Sequence, residues 1–306
     1  MKPLQFVHTR EVSAYCFGQE VFLFNHPVFL QMRTGKWGEP LSFFALRANR
    51  PVAAIHFFLQ GDEAVSLPDA PFGSLETGDL TDEEIAAMLY HAIEVLKSYQ
   101  LKSVLIRDCI SAYRDGRDLT NIFLRSGFRQ SEVMINHHIP VDAQLLHEKM
   151  HRMEQKRLRK CRRAGFVFRQ EPIAQLPEHF TFLQNCRQEK GWQLSMTLDE
   201  IKEMTHAFPQ TYRLFSVYDG GRRVAASLSV LIRSDLLYDF YHDSPGEYRS
   251  FSPVTLLLQS MYAYCREQGI RLLDMGTSPA VSLQQFKAHM GGVGSQKKSY
   301  YLRLND

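Results

Sequence analysis

Residues 41–59, LSFFALRANRPVAAIHFFL, and residues 212–231, YRLFSVYDGGRRVAASLSVL, decide how this chain folds. Each holds a run rich in aromatic and β-branched residues and a polar turn, Asn49-Arg50-Pro51 in one and Asp219-Gly220-Gly221 in the other. In both, Val-Ala-Ala then opens a second run. That is the pattern of an antiparallel hairpin. Outward from each hairpin the same order continues. A third extended stretch (64–67; 236–242) precedes an amphipathic helix (82–100; 253–268). A short buried strand (102–107; 270–275), a second helix (119–126; 282–289) and a last strand (131–139; 298–304) follow. Self-similarity over a whole unit signals duplication. The order β-β-β-α-β-α-β, after a helical lead-in, requires a parallel crossover between the third and fourth strands. The fold class is therefore α/β with mixed sheets. We expect two tandem domains, 1–140 and 141–306, each a mixed β-sheet flanked by helices, with a basic linker helix over 145–163 opening the second.

The 306 residues suffice for two domains, and 44% hydrophobic with 23% charged residues excludes disordered, collagen-like and coiled-coil chains. The net charge of +3 says little about partners, but its distribution says more. Between positions 148 and 163 stand eight basic and two acidic residues, a local +6, so the rest of the chain sums to −3. Five widely spaced cysteines without a Cys-x-x-Cys pair fit a reducing compartment better than a disulfide framework. The N-terminal MKPLQFVHTRE meets charge too early for a signal peptide, and no apolar run reaches the roughly 20 residues that cross a bilayer. A soluble, cytoplasmic protein is expected.

The two copies differ where chemistry would sit. A helix N-terminus is electropositive and offers N–H groups to an anion. In the first copy Thr81 and Glu84 have capping-box spacing, with Glu76, Asp79, Asp82 and Glu83 around them, so carboxylates already occupy that end. In the second, Arg249-Ser250-Phe251-Ser252-Pro253-Val254-Thr255 runs into a helix with Ser252 as cap, and no acid follows until Glu267. That start reads either as an anion cradle or as an ordinary Ser-Pro helix start. At the end of the following strand, Asp274 is placed to orient an amine, to take its proton or to cap the next turn. Alternation along 235–243 puts Leu237, Asp239, Tyr241 and Asp243 on one face. Asp239 and Tyr241 then line a polar cleft, or a partly solvated sheet.

These residues carry a resemblance. Tyr248-Arg249-Ser250-Phe251-Ser252-Pro253, the strand ending Leu273-Asp274-Met275-Gly276, and Leu283-Gln284-Gln285-Phe286-Lys287-Ala288-His289-Met290-Gly291-Gly292 resemble the GNAT acyltransferase superfamily. The branch resembled includes the Fem-type peptidoglycan aminoacyl transferases. The likeness spans about residues 211–304, and the first half fits as a degenerate copy, which implies a tandem-GNAT chain. It implies an N-acyltransferase using acetyl-CoA or another acyl-CoA, with a small-molecule or peptide amine as acceptor. The donor phosphates would lie at Arg249, Ser250, Phe251, Ser252, Val254, Thr255 and Lys287. Asp274, Asp239 and Tyr241 are the catalytic candidates, and no metal is implied. The Fem-type branch implies instead an aminoacyl-tRNA donor, while a silent ligand- or nucleic-acid-binding module is the non-enzymatic alternative. Acetyl-CoA enzymes of the superfamily carry Gln/Arg-x-x-Gly-x-Gly/Ala before this helix; here the Arg stands without either Gly.

The basic helix offers Arg152, Lys156, Arg157, Arg159, Lys160 and Arg163 to tRNA phosphates, or is a solvated face. His147-Glu148-Lys149-Met150-His151 matches a zinc helix literally. Its surrounding Lys149, Arg152, Lys156 and Arg157 would oppose a dication, so no zinc is expected there.

Overall fold

A computed structural model describes residues 3–73 and 75–304. The chain divides into two compact units, residues 1–134 with 295–306, and residues 135–294. In chain order come β1 (Leu4–Thr9), α1 (Pro27–Arg33), β2 (Glu39–Arg47), β3 (Arg50–Gln60), β4 (Glu63–Val65), α2 (Asp82–Ser98), β5 (Ser103–Arg107), α3 (Thr120–Arg125) and β6 (Arg129–Pro140). Then follow α4 (Leu146–Lys149), α5 (Arg152–Arg163), β7 (Val167–Glu171), α6 (Leu176–Gln188), α7 (Leu198–Ala207), β8 (Tyr212–Asp219) and β9 (Arg222–Arg233). Last are β10 (Leu236–Asp243), α8 (Pro253–Glu267), β11 (Leu272–Thr277), α9 (Val281–His289) and β12 (Val293–Arg303).

The β2–β3 and β8–β9 hairpins form where the sequence placed them. Ala48 and Asn49 both take positive φ, as a tight two-residue hairpin turn requires. The strand order is β1-β2-β3-β4-β5-β12 in the first unit and β6-β11-β10-β9-β8-β7 in the second. In each, one parallel pair, β4–β5 or β10–β11, sits among antiparallel neighbours, the mixed sheet that the element order demanded. Two edge strands, β1 and β7, join these sheets; their mixed polarity hid them in the sequence. The expected division at residue 140 follows the repeat, whereas compactness follows strand pairing. β12, which closes the second repeat, pairs with β5 (Tyr300 opposite Ile106), and β6 pairs with β11 (Ile139 opposite Leu273).

Each sheet buries its apolar face beneath the long helix of its repeat. On α2 the stripe Ile85, Leu89, Ala92 and Leu96 packs on Phe43, Phe57 and Val104. On α8 Leu257, Met261 and Cys265 pack on Phe215, Leu237 and Leu273. Each large side chain so buried contributes roughly 1.5–3 kcal/mol. Among the described residues, no helix is long and apolar enough to cross a membrane.

Candidate functional site

The second sheet comes apart at its centre. β10 and β11 pair at Leu236–Leu272, Leu237–Leu273 and Tyr238–Asp274, and their pairing ends there. Both strands are irregular at that level. β10 carries an extra residue, Phe240, against β9, and β11 loses register against β6 between Asp274 and Thr277. Gly276 supplies the left-handed backbone this requires, at φ 73°. The carbonyls of Met275, Gly276 and Thr277, left without a strand partner on β10, accept from Lys287 Nζ at 2.5, 2.9 and 3.0 Å. Lys287 is 3% exposed, so its ammonium replaces a missing strand inside the sheet. Burial pushes its pKa down to about 8, although Asp239 and Asp274 pull the other way.

The gap opens into a cleft of about 770 Å³, whose lining includes Arg157, Tyr238, Asp239, His242, Arg249 and Lys287. The bulge at Phe240 corrects the face expected from alternation. Asp239 lies opposite Ser229 and His242 opposite Ser227, so these two share a face; Tyr241 lies opposite Leu228, on the other. Tyr241 is spent there: its hydroxyl meets Ser195 Oγ at 2.5 Å and accepts from the Met196 N–H at 3.1 Å. Asp243 pairs with Lys190 and with Arg187 Nε at 3.1 Å. Asp239 instead accepts from Ser227 Oγ (2.6 Å) and from His242 Nδ1 (2.5 Å). Burial alone would raise the Asp239 carboxyl, but His242, Ser227 and Lys287 outweigh it and hold it below the usual carboxylate range. The sequence reading missed His242. Three residues from Asp239, it would face away in a regular strand, and only the bulge turns it back.

Asp274 is 2% exposed and is not among the residues that line the cleft. Its oxygens accept from Asn136 Nδ2 at 2.9 and 3.0 Å and from the Gly276 N–H at 2.5 Å. Of its three readings this geometry carries the turn: the carboxylate fastens the β11 irregularity to β6.

At the start of α8, Ser252 stands at the N-cap position in a left-handed conformation (φ 56°, ψ 58°), and its side chain caps no amide. The expected Ser252 cap is therefore corrected: the left-handed backbone turns its hydroxyl toward Thr255 Oγ1, at 3.2 Å. The cradle of N–H groups is also mostly consumed. Phe251 and Ser252 donate to Tyr248 O at 2.9 and 3.1 Å, Thr255 donates to Ser252 O at 2.9 Å, and Pro253 has no N–H. Nor is this end free of acid. Glu154 of α5, 1% exposed, accepts from Thr255 Oγ1 at 3.0 Å and from Arg157 at 2.5 Å. Lys160 donates to Ser250 O at 2.8 Å and lies 4.3 Å from the Phe251 ring centroid, which pins α5 against this loop. Arg249, Ser252 and Val254 line the cleft, whereas Ser250, Phe251 and Thr255 do not.

The basic segment is two helices, α4 and α5, and His151 is the N-cap of the second. His147 and His151 therefore share no helix; His151 stacks on His289 with ring centroids 4.4 Å apart. Among the described residues, no group of three His, Cys, Asp or Glu is placed to hold a metal ion. α5 sorts its side chains by face: Glu154, Leu158 and Cys161 are buried, while Arg152, Lys156, Arg159 and Arg163 are exposed.

The corresponding level of the first unit is closed. β4–β5 pairing continues through Ser66 N to Leu105 O (2.8 Å) and Gly73 N to Arg107 O (2.7 Å). The Thr81–Glu84 capping box is formed at α2.

By sequence, residues 148–288 match the acetyltransferase (GNAT) domain family. No curated protein matches the chain. Among solved structures, FemX aligns over 98% of each chain at a TM-score of 0.71 and 15% identity. The C-terminal domain of a putative lysylphosphatidylglycerol synthetase from Agrobacterium fabrum aligns over 81% of this chain and 80% of its own, with a TM-score of 0.57 and 15% identity. A tandem GNAT protein from the clavulanic acid biosynthesis pathway aligns over 99% of each chain at 0.51 and 11% identity. The duplicated mixed sheet and the central splay agree with these likenesses: residues 148–288 match an acetyltransferase (GNAT) domain, and the chain as a whole shares its fold with FemX and with a tandem GNAT protein.

Proposed function

We propose that the second unit transfers an aminoacyl group from an aminoacyl-tRNA to an amine. The observation that carries this reading is the start of α8. A CoA pyrophosphate would need free backbone amides there; those of Phe251, Ser252 and Thr255 are bonded internally, and a buried carboxylate underlies the first turn. The donor's anionic part is instead met by side chains. Arg152, Lys156, Arg159 and Arg163 fall at i, i+4, i+7 and i+11, a single exposed stripe on α5, and Arg157 of the same helix lines the cleft. A helix stripe of this kind suits an RNA backbone.

The reacting ester would enter the splay between β10 and β11. As the amine attacks, negative charge develops on the carbonyl oxygen. The buried Lys287 ammonium supplies a fixed positive field there, without releasing its three carbonyls. Fem-type resemblance and a lysylphosphatidylglycerol synthetase among the structural neighbours agree with an aminoacyl donor.

Binding of a mixed pool of charged tRNA across a salt series tests the reading. Changing Arg152, Lys156, Arg159 and Arg163 together to Glu should flatten the slope of log affinity against log salt by about 0.7–0.9 for each phosphate that the helix no longer neutralises. Thermal stabilisation by acetyl-CoA, with tRNA binding untouched by the four changes, would favour the acyl-CoA donor instead.

A further inference from the structure

We infer that His242 takes the proton from the attacking amine, and that a buried chain of Ser229, Ser227 and Asp239 fixes its tautomer. The inference rests on the acyl-transfer reading of the cleft and adds to it the group that moves the proton.

The chain is continuous. Ser229 Oγ and Ser227 Oγ are 2.7 Å apart, Ser227 donates to Asp239 Oδ1 at 2.6 Å, and Asp239 Oδ2 lies 2.5 Å from His242 Nδ1. Both serines are fully buried and Asp239 is 4% exposed. Three polar residues inside a sheet are costly unless each is bonded. Here they end on one imidazole at the cleft. An ionised carboxylate can only accept, so Nδ1 carries the hydrogen, and in the neutral imidazole Nε2 then keeps the lone pair. A second partner on the first ring nitrogen sets which proton the other handles. His242 lines the cleft. The charged groups lining the same cleft are Lys287 from α9, Arg187 of α6 with Lys190 just past its end, Asp243 from β10, Arg157 from α5 and Arg249 ahead of α8.

The step balances without a further reactant. The amine nitrogen bonds to the ester carbonyl carbon, and its excess proton passes to His242 Nε2. The carbon–oxygen bond of the ester breaks, and the departing oxygen takes that proton from the imidazolium. Amide and free hydroxyl leave, and His242 is neutral again. Asp239 is a positioning residue in this scheme, and Lys287 moves no proton.

Two measurements on the full chain test it. Histidine side-chain nitrogen NMR of the unliganded protein should show His242 protonated at Nδ1 and bare at Nε2, with that preference lost in Asp239→Asn. The opposite tautomer, or no change in the variant, would overturn the proposal, and this result needs no donor. Transfer is then measured with a synthetic peptide bearing one lysine amine and with hydroxylamine, whose much less basic nitrogen gives up its excess proton to water without a positioned base. Charged tRNA and acetyl-CoA are offered in separate arms, and uncatalysed reaction is subtracted. His242→Gln should lower turnover of the peptide amine by about 10²–10⁴-fold and affect hydroxylamine far less. Equal loss with both nucleophiles would overturn the assignment. Turnover only in the acetyl-CoA arm would refute the tRNA donor while still judging His242.

Discussion

Lys287 makes the stability of this protein depend on pH in a direction unusual for a lysine. Its pKa stands at about 8 against an ordinary 10.5. That gap corresponds to about 3 kcal/mol of folding free energy forgone while the group is charged. Between the two values the unfolded chain holds a proton that the folded chain has released, so stability rises with pH across this window. At about pH 7 nearly the full cost is present; at about pH 9 about 1 kcal/mol of it has been recovered. Removing the charge in Lys287→Met abolishes this term. It also leaves the carbonyls of Met275, Gly276 and Thr277 without their donor, at a cost of about 1–3 kcal/mol each where water does not reach them. Urea unfolding of both proteins at the two pH values separates the effects. The variant should be less stable overall and should lack about 1 kcal/mol of the gain seen in the wild type. An equal gain in both proteins would refute the account of Lys287 as a buried ammonium within the splay.

Two further perturbations address the supports of the site. Asn136→Leu removes both amide contacts to the buried Asp274 and should cost about 1–3 kcal/mol in urea unfolding; a loss near zero would show that the Gly276 N–H suffices. Glu171, bonded to His179, Ser216, Tyr218 and Arg223, is raised by burial but held by these partners at about 2, against an ordinary 4.5. Its contribution, about 3 kcal/mol, is present above the ordinary value and fades as pH falls toward about 2, so Glu171→Gln should flatten acid destabilisation over that interval.

The repeat was legible because hairpin turns, apolar periodicity and helix starts are local properties, and they recur in register through both halves. Leu41 lies two residues into its strand and Tyr212 opens one, and Asp82 and Pro253 open helices, as their neighbours required. The site was legible in its location and not in its wiring. Asp239, Arg249 and Lys287 reach the cleft, but the inserted Phe240 reverses every later side chain of β10, and no composition signal marks a bulge. The acid beneath α8 was invisible for a different reason. Glu154 stands in the most basic segment of the chain, and its role comes from α5 packing against a helix start 101 residues away. Asn136 likewise reaches Asp274 only because the strand that closes the first repeat completes the second sheet.

The most direct test of the donor is a transfer assay with the intact chain and a lysine-bearing peptide. A mixed pool of tRNA charged with radiolabelled amino acids is set against radiolabelled acetyl-CoA. The account predicts label in the peptide from the charged tRNA and none above background from acetyl-CoA. Label from acetyl-CoA alone would contradict it, and would mean that the start of α8 opens its amides to a pyrophosphate after all.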